Sequence, residues 1–259
     1  MPVASRIALA ALVLAASAGA AAAECRSEAF ADNDYVICRF DLPEDDLRIF
    51  WKDPAGRVFG TFTALAGHLE GRGERLAFAT NGGMYGTDYA PIGLYVEEGE
   101  QLAAANTTSA DPDVRPIPNF YKEPNGIFFV AADGSAGVME TRAFLAAKPE
   151  VRFATQSGPM LLVDGEIHPM FIPGSSDLNN RNGICAPTPT SVAVVVTGGR
   201  ANFHDFAVLF RDHLGCRDAL FLDGGSASAL YSPELGRNDG PGHGGFGPII
   251  GVVVPAPGN

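Results

Sequence analysis

The stretch ALFLDGGSAS, residues 219–228, places an acid and two glycines directly after an apolar run. Ala219–Asp223 is typical of a short buried strand that ends on a carboxylate. Gly224 and Gly225 follow, and glycine lets the backbone adopt positive φ and approach a ligand closely. An acid there can move protons while exposed N–H groups hold an anion, so the pattern predicts a site at Asp223. A plain Asp-Gly turn is the simpler alternative.

The same arrangement of strand, polar side chain and glycine recurs at two other points, and a polar loop before the 191–197 strand offers a third group of candidates. The candidate residues there are Asn81, Gly82 and Gly83 in TNGGMYG (80–86), Gln156, Ser157 and Gly158 in ATQSGPMLL (154–162), and Arg181 and Asn182 in RNG (181–183). Arginine is the side chain best suited to bidentate capture of phosphate or carboxylate, so Arg181 is a candidate anion ligand. A solvated surface position is the alternative for a single loop arginine.

Two further residues are candidates for chemistry. Ser226 makes GGSAS resemble the G-x-S-x-G signature of serine hydrolases, but the last glycine is missing and no oxyanion glycine run precedes it. A serine hydrolase is therefore a distant alternative. His243 lies in the glycine-rich GPGHGGFG (240–247) and is a candidate acid–base group.

Residues 1–23 have the organisation of a secretory signal peptide. Arg6 precedes the apolar run Ile7–Ala16, which is too short to span a bilayer, and Ala21–Ala23 matches an A-x-A cleavage site. We expect cleavage after this site, a mature domain over residues 24–259, and a periplasmic or secreted protein. No later segment of the sequence is long and apolar enough to span a membrane.

The charge and composition exclude several partners. Loss of Arg6 with the signal peptide leaves 17 Lys and Arg against 30 Asp and Glu, a net charge of −13. Such a chain is repelled by nucleic acids and anionic lipids, so neither is an expected partner. No zinc or calcium spacing is present and we expect no metal or cofactor, although Asp223 and Asp239 could offer oxygen ligands to a divalent ion.

The four cysteines indicate disulfides in an oxidising compartment. Four cysteines allow three pairings. We expect Cys25–Cys38 and Cys185–Cys216, because each pairing closes a loop of modest length.

Strand patterns dominate the chain and helices are few. Residues 61–71, 141–147 and 202–214 have helical spacing, and the valine-rich 191–197 is typical of a central strand buried on both faces. Residues 172–190, rich in Pro, Ser, Asn and Gly, are predicted to be a loop. The pattern favours a single α+β domain with a mixed β-sheet core.

Several motifs together resemble the phosphodiester glycosidase domain family. They are NGGMYG (81–86) with PIGLYVEEG (91–99), NFYKEPNGIFF (119–129), ATQSGPMLLVDGEIHP (154–169), RNGICAPT (181–188) and NFHDFAVLFRDHLGCRDALFLDGGSASALY (202–231). Their order is specific and extends from about Arg75 to Val254. GICAPTPTS (183–191) departs from the expected uninterrupted strand and is interpreted as an insertion.

The resemblance implies an exported hydrolase that cleaves the bond between a sugar's anomeric carbon and a phosphodiester, without a cofactor. Asp223 would act on the sugar side. Arg181, with N–H groups of Gly82-Gly83 and Gly224-Gly225, would hold the phosphate. Asn81, Gln156 and Ser157 would orient the substrate, and Asp88 or Asp205 would supply a second carboxylate.

A protein that binds envelope phosphodiester polymers without cleaving them remains the competing class. The same arginine and glycine turns would then hold a phosphate, and only product release distinguishes the two.

Overall fold

The computed structural model describes residues 24–256, so the predicted signal peptide lies outside the described residues. In chain order the strands are β1 (Glu24–Phe30), β2 (Asn33–Asp41), β3 (Asp46–Phe50), β4 (Glu74–Asn81), β5 (Tyr95–Glu97), β6 (Glu100–Ala103), β7 (Gly126–Ala131), β8 (Ala136–Glu140), β9 (Val151–Ser157), β10 (Met160–Val163), β11 (Glu166–Ile167), β12 (Asn182–Thr188), β13 (Ser191–Thr197), β14 (Ala219–Phe221), β15 (Leu230–Ser232), β16 (Arg237–Asn238) and β17 (Ile249–Pro255). The helices are α1 (Phe62–Glu70), α2 (Thr141–Ala147) and α3 (Phe203–Val208).

The strands form three sheets within a single α+β domain. Their orders are β1-β2-β13-β12-β14-β10-β11, β16-β15-β4-β17-β3 and β6-β5-β9-β7-β8. The α+β class with few helices is confirmed, but the sheets differ from the expected mixed sheet, because every strand pairing within residues 24–256 is antiparallel. Parallel neighbours need long crossovers, whereas pairs such as β7–β8 and β12–β13 are joined by short turns.

One apolar core joins the three sheets. Val194 from the first sheet, Phe78 from the second and Phe128 from the third all belong to it and are fully buried. The other face of β13 turns Val195 toward a second cluster that contains Phe206 of α3. The prediction that residues 191–197 form a central strand buried on both faces is confirmed.

Strand β12 corrects the prediction that residues 172–190 are all loop. Gly183 pairs with Val195 of β13 on one side and with Phe221 of β14 on the other. The buried Ile184 and Cys185 favour a strand, whereas Pro187 lies in its exposed end. The segment interpreted as an insertion is therefore this strand and the turn into β13.

The helices begin at side-chain caps. The Thr61 hydroxyl accepts a hydrogen bond from the Ala64 N–H at the start of α1. The Asn202 side chain accepts one from the Asp205 N–H at 2.8 Å at the start of α3. α3 is shorter than predicted, because Leu209–His213 continues it as a π-helical turn. Among residues 24–256, no helix is long and apolar enough to cross a membrane.

Both predicted disulfides are confirmed. Cys25 and Cys38 lie opposite each other on β1 and β2. Cys185 of β12 is joined to Cys216, which follows the π-helical turn. The second bridge fastens the helical segment to the first sheet beside β14, the strand that leads to Asp223.

Candidate active site

Asn81, at the end of β4, connects three of the predicted strand tips. Its amide nitrogen donates a hydrogen bond to the backbone carbonyl of Asp223 at 2.5 Å. Its side-chain oxygen accepts from the Asn182 amide at 2.9 Å and from the Ala229 N–H at 3.1 Å. Asn81 is fully buried, so its side chain fixes the loop after β14 against β4 and β12. It acts as a positioning residue in this structure.

Asp223 opens into a cavity of about 350 Å³. The cavity is lined by Tyr85, Gly86, Thr87, Tyr89, Asp223 and His243. No residue among 24–256 donates a hydrogen bond to the Asp223 carboxylate, and burial raises its pKa to about 6 against the opposing effect of His243. A carboxyl with a pKa near neutrality is suited to proton transfer or nucleophilic attack at physiological pH.

The glycine-rich segment that carries His243 packs tightly on the two tyrosines. The Tyr85 hydroxyl donates a hydrogen bond to the Gly245 carbonyl at 3.0 Å. A Cβ at Gly247 would collide with Tyr85, and one at Gly244 would collide with the Tyr89 hydroxyl. The exposed His243 is thereby held at the cavity, beside the two tyrosines. The sequence analysis missed both tyrosines, which follow the glycines of TNGGMYG.

Gln156, Ser157 and Gly158 do not line the cavity. The Gln156 side-chain oxygen accepts from the N–H groups of Leu94 and Asn106, both at 2.9 Å, and its nitrogen donates to the Asn106 carbonyl at 2.7 Å. These bonds fasten an outer loop to the third sheet. The Ser157 hydroxyl is buried without a hydrogen-bond partner in the described chain.

Two of the backbone amides expected to hold a phosphate are already bonded. The Gly82 N–H donates to the Pro248 carbonyl, and the Gly225 N–H donates to the Asn180 carbonyl, both at 2.8 Å. An amide used in this way has no proton left for a ligand. The prediction that these two glycines bind an anion is therefore not supported by the geometry.

The other two glycines serve close packing. A Cβ at Gly83 would collide with the Gln156 carbonyl oxygen, where the loop after β4 crosses β9. A Cβ at Gly224 would lie 2.6 Å from the Phe221 ring. Both contacts are shorter than real Cβ contacts, so these positions require glycine for packing rather than for ligand approach.

The Arg181 side chain points away from Asp223. Its guanidinium donates to the carbonyls of Ala201 at 2.7 Å and Asp177 at 3.0 Å. The guanidinium carbon lies 3.5 Å from the centre of the Phe203 ring, and burial lowers the pKa of Arg181 to about 10. Arg181 is 1% exposed and does not line the Asp223 cavity, so the structure does not bring the two charged side chains together.

The remaining candidates lie outside the cavity lining. Ser226 is exposed, and no histidine within residues 24–256 is hydrogen-bonded to its hydroxyl. The Asp88 carboxylate accepts from the Ala90 N–H in its own turn, and Asp205 accepts from the Asn202 amide at 2.8 Å. Neither carboxylate faces Asp223 across the cavity.

The residues present give no grouped set of metal ligands. Asp239 accepts from the Leu230 N–H at 3.0 Å and pairs with Arg237. Among the described residues, no three His, Cys, Asp or Glu side chains are grouped so as to hold a metal ion. The ionisable side chains that line the cavity are those of Asp223, His243, Tyr85 and Tyr89.

Comparison with solved structures gives the fold. The catalytic domain of zebrafish N-acetylglucosamine-1-phosphodiester α-N-acetylglucosaminidase, auto-inhibited by its pro-peptide, is similar with a TM-score of 0.58 and 13% identity, over 88% of this chain and 81% of that one. A hypothetical protein from Synechocystis is similar with a TM-score of 0.55 and 14% identity, over 89% of this chain and 61% of that one. A putative exported protein from Burkholderia pseudomallei K96243 is similar with a TM-score of 0.51 and 12% identity, over 85% of this chain and 74% of that one.

Comparison of sequences gives the family. The uncharacterized protein YigE of Escherichia coli (strain K12) is 35% identical over 185 residues, which cover 71% of this chain and 69% of the relative. A family model described as phosphodiester glycosidase matches residues 74–252, a span that contains both Asn81 and Asp223. The chain belongs to the phosphodiester glycosidase family.

Proposed function

We propose that this protein hydrolyses the bond between a sugar's anomeric carbon and a phosphodiester, in the Asp223 cavity. The observation that carries the proposal is the half-buried carboxylate of Asp223, which has a pKa raised to about 6 and faces a cavity beside two tyrosines and a histidine. Membership of the family and the likeness to a glycosidase catalytic domain support it.

Two cavity residues, Asp223 and His243, have roles in the proposed reaction. Asp223 attacks the anomeric carbon or activates water for that attack, and both roles need the ionised carboxylate. The leaving group is a phosphate monoester, which departs readily, so stabilising its negative charge matters more than protonating it. His243 also lines the cavity, where its charge lowers the pKa of Asp223 against the effect of burial. Phosphate contact by Arg181 stays a prediction that requires its guanidinium to leave its present carbonyl partners.

The pH dependence of hydrolysis follows from the pKa of Asp223. kcat/KM should fall below about pH 6, because protonation removes the reactive carboxylate. The positive charge of His243 lowers the pKa of Asp223, so His243→Gln should move this acid limb to higher pH. His204→Gln, outside the cavity, is the control and should leave the limb in place. An acid limb that does not move in His243→Gln would contradict the assignment to Asp223.

Release of free sugar tests the function itself. The purified protein is incubated with a panel of sugar 1-phosphodiesters, and the free sugar is quantified by chromatography. Retention of the phosphodiester without release would support the binding protein instead. Labelling of Ser226 by a fluorophosphonate probe would support the serine hydrolase.

We also propose that the protein works in the periplasm or outside the cell. Two disulfides are typical of an oxidising compartment. The predicted signal peptide and the likeness to a putative exported protein support the same location. Fractionation of cells that produce the full chain should find it outside the cytoplasm, with its first residue at Glu24.

A further inference from the structure

Tyr89 has a backbone conformation that is unusual for a bulky residue. Its φ angle is +62°, in the left-handed region that favours glycine and asparagine. Such conformations cost free energy, and they persist where the surroundings enforce them, most often at functional sites. The Tyr89 ring lines the Asp223 cavity. A tyrosine at this position therefore needs an explanation beyond the turn itself.

Three hydrogen bonds hold the Tyr89 backbone in place. Within the turn, the Tyr89 N–H donates to the Gly86 carbonyl at 2.9 Å, and the Gly86 N–H donates to the Ala90 carbonyl at 2.8 Å. From the end of β3, the Trp51 indole N–H donates to the Tyr89 carbonyl at 2.9 Å. Trp51 is itself packed edge-on against Tyr95 of the third sheet. The orientation of Tyr89 is therefore set by a residue far away in the sequence.

The second cavity tyrosine, Tyr85, lies beside Tyr89 and closes one side of its ring. The ring centres of Tyr85 and Tyr89 are 6.0 Å apart, with their planes at 39°. This spacing is too small to hold a sugar ring between them, so a ligand must lie on the cavity side of the pair. Tyr85 is fixed by its bond to the Gly245 carbonyl, and Tyr89 lines the cavity beside it.

We infer that Tyr89 is the platform on which the sugar ring of the substrate stacks beside Asp223, and that Trp51 positions it. This inference rests on the proposed function, because it concerns the sugar end of the same substrate. An aromatic ring buries a large apolar area against the C–H face of a pyranose at small entropic cost. Trp51 touches the Tyr89 backbone and not the cavity lining, so it is a positioning residue.

Trp51 also provides the measurement, because it is the only tryptophan of the chain. We would titrate the intrinsic fluorescence with the 1-phosphates of N-acetylglucosamine, glucose and galactose, and with inorganic phosphate as a control. At least one sugar 1-phosphate should give a saturable change. Tyr89→Asn tolerates positive φ and keeps the carbonyl that accepts from Trp51, and it should weaken binding about tenfold. Tyr89→Phe keeps the ring and should restore most of the affinity.

Turnover separates this inference from the proposed function. Tyr89→Asn and Trp51→Phe should raise KM for a sugar 1-phosphodiester with a smaller change in kcat. Hydrolysis with an unchanged KM in Tyr89→Asn would overturn the platform and leave the proposed function standing. Sugar binding that depends on Tyr89, without any hydrolysis, would support the platform and contradict the proposed function. A fluorescence signal that no sugar 1-phosphate changes, or that inorganic phosphate changes equally, would also overturn the platform.

Discussion

Asp223→Asn should abolish hydrolysis and make the folded protein more stable at pH 8. Burial raises the pKa of Asp223 from 3.8 to about 6, so the folded state disfavours the ionised carboxylate. The resulting loss of stability is absent below about pH 4, grows as pH rises to 6 and is complete above it. A shift of this size corresponds to about 2–3 kcal/mol. Thermal unfolding at both pH values should therefore show stabilisation at pH 8 and none at pH 4.

Asp218→Asn is the matched control for this experiment. Asp218 is also half-buried with a pKa raised by burial, but it lies at the other end of β14, where its carboxylate accepts from the Asp164 N–H at 3.0 Å. This variant should retain activity. A loss of stability at pH 8 in Asp223→Asn would show that the carboxylate is structural, and full activity would remove it from the reaction.

Asn81→Ala should cost the protein roughly 3–5 kcal/mol of its free energy of unfolding. The change leaves the Ala229 N–H and the Asp223 carbonyl without their side-chain partner, and removes one of three acceptors of the Asn182 amide. Buried polar groups without partners bear a full desolvation cost. For a domain of this size we expect the midpoint of thermal unfolding to fall by roughly 10 °C.

The exposed Asn238 provides the comparison. Its amide makes one hydrogen bond, to the Thr63 hydroxyl at 3.1 Å, so Asn238→Ala should change stability by less than about 0.5 kcal/mol. Activity of Asn81→Ala should fall because the Asp223 loop loses its anchor. Should Asn81→Ala keep wild-type stability and lose only activity, Asn81 would act directly on the substrate, as the family resemblance implies.

The convergence of Asn81, Asn182 and Asp223 was predictable from the sequence because its signals are local. Asn81 and Asp223 each lie next to a glycine at the end of an apolar run, and Asn182 lies next to Gly183 at the start of one. Such a pattern marks a strand tip, and tips of neighbouring strands meet. The disulfides were predictable for a similar reason, since short loops limit the sensible pairings.

The position of Arg181 was not predictable without strand β12. Successive side chains of a strand point to opposite faces. Because Asn182 faces Asn81, the adjacent Arg181 is directed to the other side, where it lies on Phe203 of α3. The Pro and Thr at the exposed end of β12 concealed the strand. With the strand missed, Arg181 and Asp223 were expected to share a pocket.

The cavity walls depend on contacts between distant segments. Tyr89 owes its position to Trp51, and the His243 segment owes its position to Tyr85 through Gly245. No local pattern predicts which loops will meet in this way. Gly244, Gly245 and Gly247 of the His243 motif are needed for packing against the tyrosines, which the motif alone does not reveal.

Hydrolysis in ¹⁸O-labelled water tests the central claim most directly, because it shows which bond is broken. A sugar 1-phosphodiester is digested with the wild-type protein, and the masses of the products are measured by mass spectrometry. Attack at the anomeric carbon, as proposed for Asp223, puts the labelled oxygen on the released sugar and leaves the phosphate monoester unlabelled. Label in the phosphate monoester would mean that the phosphorus–oxygen bond is cleaved, and the protein would then not act as a glycosidase.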